Sequence, residues 1–527
     1  MLDNSRAKLD LAQRRFRTWL ERANDLDCLT LFWAVQALQS GAEKIAQKYI
    51  RYPKEAAVRN ISSPYAIHKW ELETLITSLL VTPKDRLRIG RHHRTNIIEF
   101  QSIARQINLL RTIEDVEYVK FDANGDVMAE LYRNCQRQFF WQRGYNSEQL
   151  YRYAYVYGQG ESASFFERTT GISISDFILL SISLWHSSRQ KPWMEAPDIS
   201  ALNLQPQALS KALKLQSITL DEARNKALEG NQRARSSRGG SLRTAYMPSV
   251  LRATPIIGCA DSRVTYCAPL PGLIMHRATA GLYYDIRQGP QAILAEANAR
   301  FEAYVCKLFK AYYPSIDAFK GPNYGPTKAA QKEAPDCLIK NEKDIMVAVE
   351  CKATKLKFDA QFSDDPITAA QKNLEQIAKG IFQLWRFFSH ARQGLYTLHR
   401  VHPNAYGIVL TMDAWMQMAE RLRPFVLARA AEMADQDPDI IESDRRMVIF
   451  ASIQELNETL AQTDLSDFLI VLDKATTEKF SGYSLPSIAR ELPTKQTPKS
   501  FPMNMADVLP WWNRFKNFDN QQHLKNN

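Results

Sequence analysis

Of all the Asp and Glu residues in the chain, one alone has lysine two places further on: Glu350, in Glu350-Cys351-Lys352. The triplet closes a β-prone run, Ile345–Ala353, in which Val347, Val349 and Cys351 alternate with Ala348, Glu350 and Lys352. Alternation along a strand puts Glu350 and Lys352 on one face and Cys351 on the other. A second β-prone segment, Asp336–Ile339, comes just before, and the turn Asn341-Glu342-Lys343-Asp344 separates the two. A hairpin of these strands brings Asp336 beside Glu350. Two carboxylates and an amine then crowd one end of a largely apolar strand pair, where burial is costly unless they pair or hold a cation.

The residue types suit a hard divalent cation. Magnesium prefers oxygen ligands and is held by one or two protein carboxylates, with water and substrate phosphate filling the other positions. A metal so placed lowers the pKa of a bound water and neutralises charge developing on a phosphate ester, while a nearby ammonium stabilises an oxyanion. The competing reading is structural: a salt-bridged hairpin in which Lys352 simply neutralises Asp336 and Glu350.

Pro335-Asp336, a spacer, then Glu350-Cys351-Lys352 on the following strand resembles the signature of the PD-(D/E)XK nuclease superfamily. The resemblance covers about residues 250–480. It implies Asp336, Glu350 and Lys352 as catalytic residues, with Asp336 and Glu350 binding Mg2+ (or Mn2+ in its place) and the backbone carbonyl of Cys351 as a further ligand. Members often carry a glutamate on the helix before the hairpin. Glu302 matches, sharing a face with Val305, Cys306 and Phe309 at helical spacing. Many also place a glutamine on the helix after the acid-x-Lys strand. Gln376 fits, on a face with Gly380 and Gln383. Lys320, Lys328 and Lys332, in the loop before the hairpin, are candidates for phosphate contacts.

At 527 residues the chain is too long for one compact core. Residues 1–228 read as a helical domain, from apolar positions recurring every three to four residues in Leu9–Ala23, Leu29–Tyr49, Tyr65–Leu80 and Ile97–Leu110. Ser173 before Phe177-Ile178-Leu179-Leu180 marks a helix start. The polar, basic, Gly/Ser-rich stretch 229–247 reads as a flexible linker. Residues 248–485 mix elements: strands at Val264–Cys267, Leu282–Ile286, Tyr406–Thr411 and Met447–Ala451, and helices at Ala292–Tyr313 and about Ile367–Ala391. Residues 486–527 read as a loosely attached tail with a short helix near Met505–Phe515. His92-His93, adjacent in a basic stretch, point apart on a helix or a strand and suit a phosphate-facing patch better than a metal.

The fold class expected is therefore α+β: an all-α N-terminal domain, then an α/β restriction-endonuclease-like domain with a central mixed sheet flanked by helices. A net charge of +11 is compatible with a polyanionic partner. The longest apolar run, Phe177–Trp185, falls well short of the roughly 20 residues needed to span a bilayer. The seven cysteines lack CxxC spacing and read as reduced, which together with the absence of a signal-like N-terminus points to the cytoplasm. The expected activity is metal-dependent hydrolysis of phosphodiester bonds, in DNA first and with RNA left open, in bacterial restriction or anti-phage defence by association with the superfamily. The helical half would meet a protein trigger or partner, and an oligomer is open. The alternative is a catalytically silent nucleic-acid-binding or sensor/scaffold protein that keeps the fold.

Overall fold

The computed structural model describes residues 2–84, 96–121, 127–138, 144–237, 242–260, 264–325, 327, 331–356, 358–363, 365–414, 422–494 and 496–514. His92, His93 and Lys328 lie outside the described residues. The chain is mixed α and β, with two separate sheets. It divides into two compact units whose boundary is not the one expected near residue 248.

One unit comprises Met1–Asp126, Arg137–Tyr145 and Phe166–Asp285. Its core gathers Leu29, Phe32, Trp33, Leu75, Leu79, Ile103 and Leu110 from helices with the expected apolar spacing. Ser173 caps Ile174–Ser188, its side chain accepting from the Asp176 N–H at 3.0 Å. The unit is not all-α. Trp193–Met194, Val264–Cys267, Ile256–Ala260 and Ser217–Thr219 form a four-stranded sheet in that order. Short edge strands without long alternating patterns give little signal, and two of these have only two or three residues. Residues 229–237 are no linker: they complete the helix Leu220–Ser237, where Ala223, Ala227 and Ala234 are buried. Leu282–Ile286 is helical rather than extended.

The other unit comprises Val127–Gln136, Asn146–Phe165 and Ile286–Asn527. Its five strands are β1 (Asp317–Phe319), β2 (Cys337–Asn341), β3 (Asp344–Lys352), β4 (Arg400–Thr411) and β5 (Val448–Ser452), adjacent in that order. β1–β2 and β2–β3 are antiparallel; β3–β4 and β4–β5 are parallel. Parallel pairing requires crossovers. Between β3 and β4 the crossover includes α3 (Gln371–Arg392), between β4 and β5 α4 (Leu422–Asp435). α3 buries Leu374, Ile377, Ile381, Leu384 and Phe388 against Leu338, Ala348 and Val409. α2 (Gln291–Tyr312) packs along β1 and β2, and its Cys306 thiol donates to the Asp336 carbonyl at 3.9 Å. Cys337 pairs with Val349, and Cys351 follows two residues later, so α2 covers the cysteine face and α3 the Glu350 face.

Two segments placed elsewhere by sequence join this unit. α1 (Ser147–Tyr157) packs on α2. The described part of the expected loose tail is anchored: the Lys499 N–H donates to the Ala461 carbonyl at 2.8 Å, the Phe501 ring meets Tyr151, and Met505 and Leu509 are buried. Burial of scattered apolar residues in an irregular segment leaves no periodicity to read. Among the described residues no helix is long and apolar enough to cross a membrane.

Candidate functional site

The hairpin forms where expected. Glu342 in its turn takes φ +53°, the left-handed conformation a tight reversal needs. The β2–β3 register pairs Cys337 with Val349, so one further step places Asp336 opposite Glu350. Asp336 Oδ2 accepts the backbone N–H of Cys351 at 2.7 Å, which fixes the carboxylate against the end of β3. Cys351 meets Asp336 through its N–H; its thiol faces α2, and burial raises that thiol's pKa well above the usual range.

On the α3 face, Lys352 Nζ donates to Glu350 Oε1 at 2.8 Å, and both side chains are largely buried. Gly380 of α3 lies directly over them. A Cβ there would stand 2.8 Å from Lys352 Cε and 3.2 Å from Glu350 Cγ, so glycine permits the close approach. One turn on, Gln383 completes the pocket around the ion pair. In one orientation its carboxamide oxygen accepts from Lys352 at 3.3 Å. In the other its nitrogen donates to Glu350 Oε1 at 2.9 Å and to the Lys379 carbonyl at 3.3 Å. The second makes two bonds in place of one, leaves Lys352 with Glu350, and is the orientation the surrounding donors and acceptors favour.

Glu302 of α2 approaches from the opposite face, one helical turn before Cys306, and is bound by Lys320 Nζ at 2.7 Å. The electrostatics tie the acids together. Burial, then the charges of Glu350 and Glu302, push Asp336 from the ordinary 3.8 up to about 8, against the opposing Cys351 N–H and Lys352. Burial also raises Glu350, opposed by Lys352 and reinforced by Glu302 and Glu333. For Lys352 burial works against the charged form, but Glu350 and Asp336 outweigh it and its pKa is raised.

Glu350 and Lys352 are therefore paired, with Asp336 at the same strand end, and Glu302 is near enough for its charge to act on both acids. Gln376 is not among them: it shares the helical face but is exposed, a turn short of Gly380, and Gln383 stands beside the ion pair in its place. The sequence signal for Gln383 was the same helical face, two turns beyond Gln376. Lys320 is at the site through Glu302. Lys332 is exposed elsewhere, its backbone paired with Tyr324 and its charge acting on His390.

Sequence reasoning missed a buried brace behind β3. The Arg152 Nη1 of α1 donates to the Met412 carbonyl at 3.1 Å, and the Met412 N–H donates to the Lys352 carbonyl at 3.3 Å. Arg152 is paired with Glu148 at 2.7 Å, and the Tyr304 hydroxyl donates to the same Glu148 oxygen at 2.8 Å. Alongside, Lys355 pairs with Asp413 at 2.8 Å, and Tyr153 donates to Asp413 at 2.9 Å. Only the i, i+4 spacing of Glu148 and Arg152 on one helix hinted at this.

Whether the site can take a divalent cation turns on donor chemistry and on rotamers. The donors are carboxylate oxygens, as a hard cation requires, and their mutual repulsion, expressed in Asp336, is the imbalance a cation relieves. Among the described residues, however, no three His, Cys, Asp or Glu side chains already converge as a metal-holding group. Glu350 and Glu302 each point at a lysine. The residue set fits a divalent cation in charge and donor type once those two carboxylates turn from their lysines.

Compared with models of protein families, with curated proteins and with solved structures, the chain matches none of them.

Proposed function

We propose that the chain is a divalent-cation-dependent nuclease of the PD-(D/E)XK kind, hydrolysing phosphodiester bonds, with DNA as the first substrate to test. The observation that carries this reading is the meeting of Asp336, Glu350 and Lys352 at the joined ends of β2 and β3, with Asp336 held above its ordinary pKa by burial and then by its acidic neighbours. The five-stranded mixed sheet with α2 and α3 on opposite faces suits the restriction-endonuclease-like architecture, and the expected bacterial defence role rests on that association alone.

A bound Mg2+ would supply an activated water and take up charge developing on the phosphate. Asp336 and Glu350, with Glu302, would hold it. Burial works against the charge on Lys352, but Glu350 and Asp336 outweigh it in the metal-free protein, and its ammonium would act as a cation toward an oxyanion. Gly380 and Gln383 pack against the Glu350 and Lys352 side chains and limit where each can go, and the Arg152–Met412 bonds hold the Lys352 backbone.

A second reading has its own support: the two lysine–carboxylate pairs, Lys352–Glu350 and Lys320–Glu302, are what a catalytically silent, salt-bridged fold would also contain. Purified protein incubated with supercoiled plasmid in Mg2+ or Mn2+ separates the two. The nuclease reading requires nicking that chelator abolishes and Lys352→Ala removes. DNA binding without nicking by folded wild-type protein in either cation favours the silent reading.

A further inference from the structure

Lys320 combines a fixed backbone with an exposed side chain. It follows β1, whose last residue Phe319 pairs with Leu338. The next residue, Gly321, runs so close to the Ala334–Asp336 segment that a Cβ would fall 2.3 Å from Ala334 Cβ and 3.0 Å from Leu338 Cδ1. The lysine's starting point is thus set against the segment that delivers Asp336. Its side chain is nonetheless 63% exposed, and its one described ion pair is to Glu302 at 2.7 Å. The charges of Asp336 and Glu333 also act on it.

Glu302, Asp336 and Glu350, when ionised, face two ammonium groups, Lys320 and Lys352, which leaves one negative charge; exposed Glu333 adds a more distant one. A divalent cation reverses the sign of the inner set to one positive charge, the complement of a phosphodiester. It also takes from Lys320 the carboxylate that holds it. We propose that Lys320 is a transferable cation: paired with Glu302 in the metal-free protein, it passes to a phosphate oxygen of the nucleic acid when a divalent cation engages Glu302. Metal binding and substrate binding are thereby coupled through one side chain. No bond is made or broken in the transfer. The inference rests on the nuclease reading.

The test uses the full chain and a short DNA duplex, with affinity measured by fluorescence anisotropy across a salt series in Ca2+ and in EDTA. Ca2+ shares the oxygen-ligand preference, and a gel confirms that the duplex stays intact. Each phosphate contact contributes about 0.9 to the slope of log K against log salt. In Ca2+ the wild-type slope should exceed that of Lys320→Met by about 0.9, whereas in EDTA the two should coincide; Lys320→Arg should behave as wild type. Without DNA, Lys320→Met should bind Ca2+ at least as tightly as wild type, since a competitor for Glu302 is gone. Equal slopes in Ca2+, a slope difference of the same size in EDTA, or weaker Ca2+ binding by Lys320→Met each overturns the proposal. If the protein cleaves DNA but the slopes coincide, only the role of Lys320 falls. If wild type neither binds Ca2+ nor cleaves in Mg2+ or Mn2+, the nuclease reading falls with it.

Discussion

Asp336 Oδ2 sits 2.7 Å from the backbone nitrogen of Cys351, so the carboxylate is held at the end of β3 whether or not it carries a charge. That one hydrogen bond favours the ionised form, but burial and the charges of Glu350 and Glu302 oppose it more strongly. The position is destabilising as built, a pattern typical of sites where function and stability compete.

The consequence for pH follows from linkage. In the unfolded chain Asp336 loses its proton near 3.8; in the fold it keeps it until about 8. Between these values the native state binds the extra proton, so this group's contribution to stability is full below pH 3.8, declines as pH rises, and is gone above about 8. Asp336→Asn removes the penalty and keeps an acceptor for the Cys351 N–H. In EDTA it should melt higher than wild type at pH 9, by a few degrees for each ~1 kcal/mol regained, with a smaller gap at pH 5, and it should not cleave DNA. Thermal melts of both proteins at the two pH values read this directly; a lower melting temperature for Asp336→Asn at pH 9 would contradict the charge assignment.

Gly380 offers a cleaner probe of the ion pair. In a helix interior, glycine to alanine ordinarily gains about 1 kcal/mol. Here the new methyl meets Lys352 Cε at 2.8 Å and Glu350 Cγ at 3.2 Å. Lysine's end can move, so Gly380→Ala should fold with near wild-type stability while displacing the ammonium. If Lys352 acts through its position, plasmid cleavage should fall at least tenfold, given a loss on the order of 100-fold per ångström of misplacement. Unchanged cleavage by a folded variant would show that the position of Lys352 does not matter.

The hairpin and its three polar groups were legible because a strand's two-residue period and a turn leave few ways to arrange them. The long helices α2 and α3 were legible for the same reason at their own period. What escaped was set by contacts between distant segments. α1 belongs with the sheet because Arg152 reaches Met412, and nothing local in its tyrosine-rich sequence declares that. The small sheet of Ser217–Thr219, Ile256–Ala260, Val264–Cys267 and Trp193–Met194 is built from strands too short to show alternation. The Gly/Ser content of 229–247 suggested a linker, yet alanines at 223, 227 and 234 already supplied a buried helical stripe.

Gln376 and Gln383 differ in one respect that activity can read. Gln376 is exposed, whereas Gln383 bonds into the Glu350–Lys352 pair. Gln383→Ala should reduce cleavage by more than Gln376→Ala, by several-fold or more, because it leaves a buried carboxylate short of a donor, a loss of roughly 1–3 kcal/mol. Initial rates of plasmid nicking for the two variants, with melting curves as a control for folding, decide it. The reverse order would return the role to Gln376.

The brace behind β3 is where a single change should cost the most. Arg152 and Glu148 are each about 2% exposed, and Glu148 also accepts from Tyr304. Arg152→Ala strips the cation from a buried carboxylate and the donor from the Met412 carbonyl, a loss on the order of 3–5 kcal/mol. Replacing the pair together, Glu148→Gln with Arg152→Met, removes both charges while keeping most of the volume, and should recover a substantial part of that loss. Urea unfolding of the three proteins, followed by tryptophan fluorescence, gives the comparison. Because Met412 links Arg152 to the Lys352 carbonyl, the double variant carries a second expectation: regained stability without full cleavage, since the β3 end is no longer tied from behind. A double variant as unstable as Arg152→Ala would mean that the guanidinium's bond to the Met412 carbonyl, and not the unpaired charge, sets the cost.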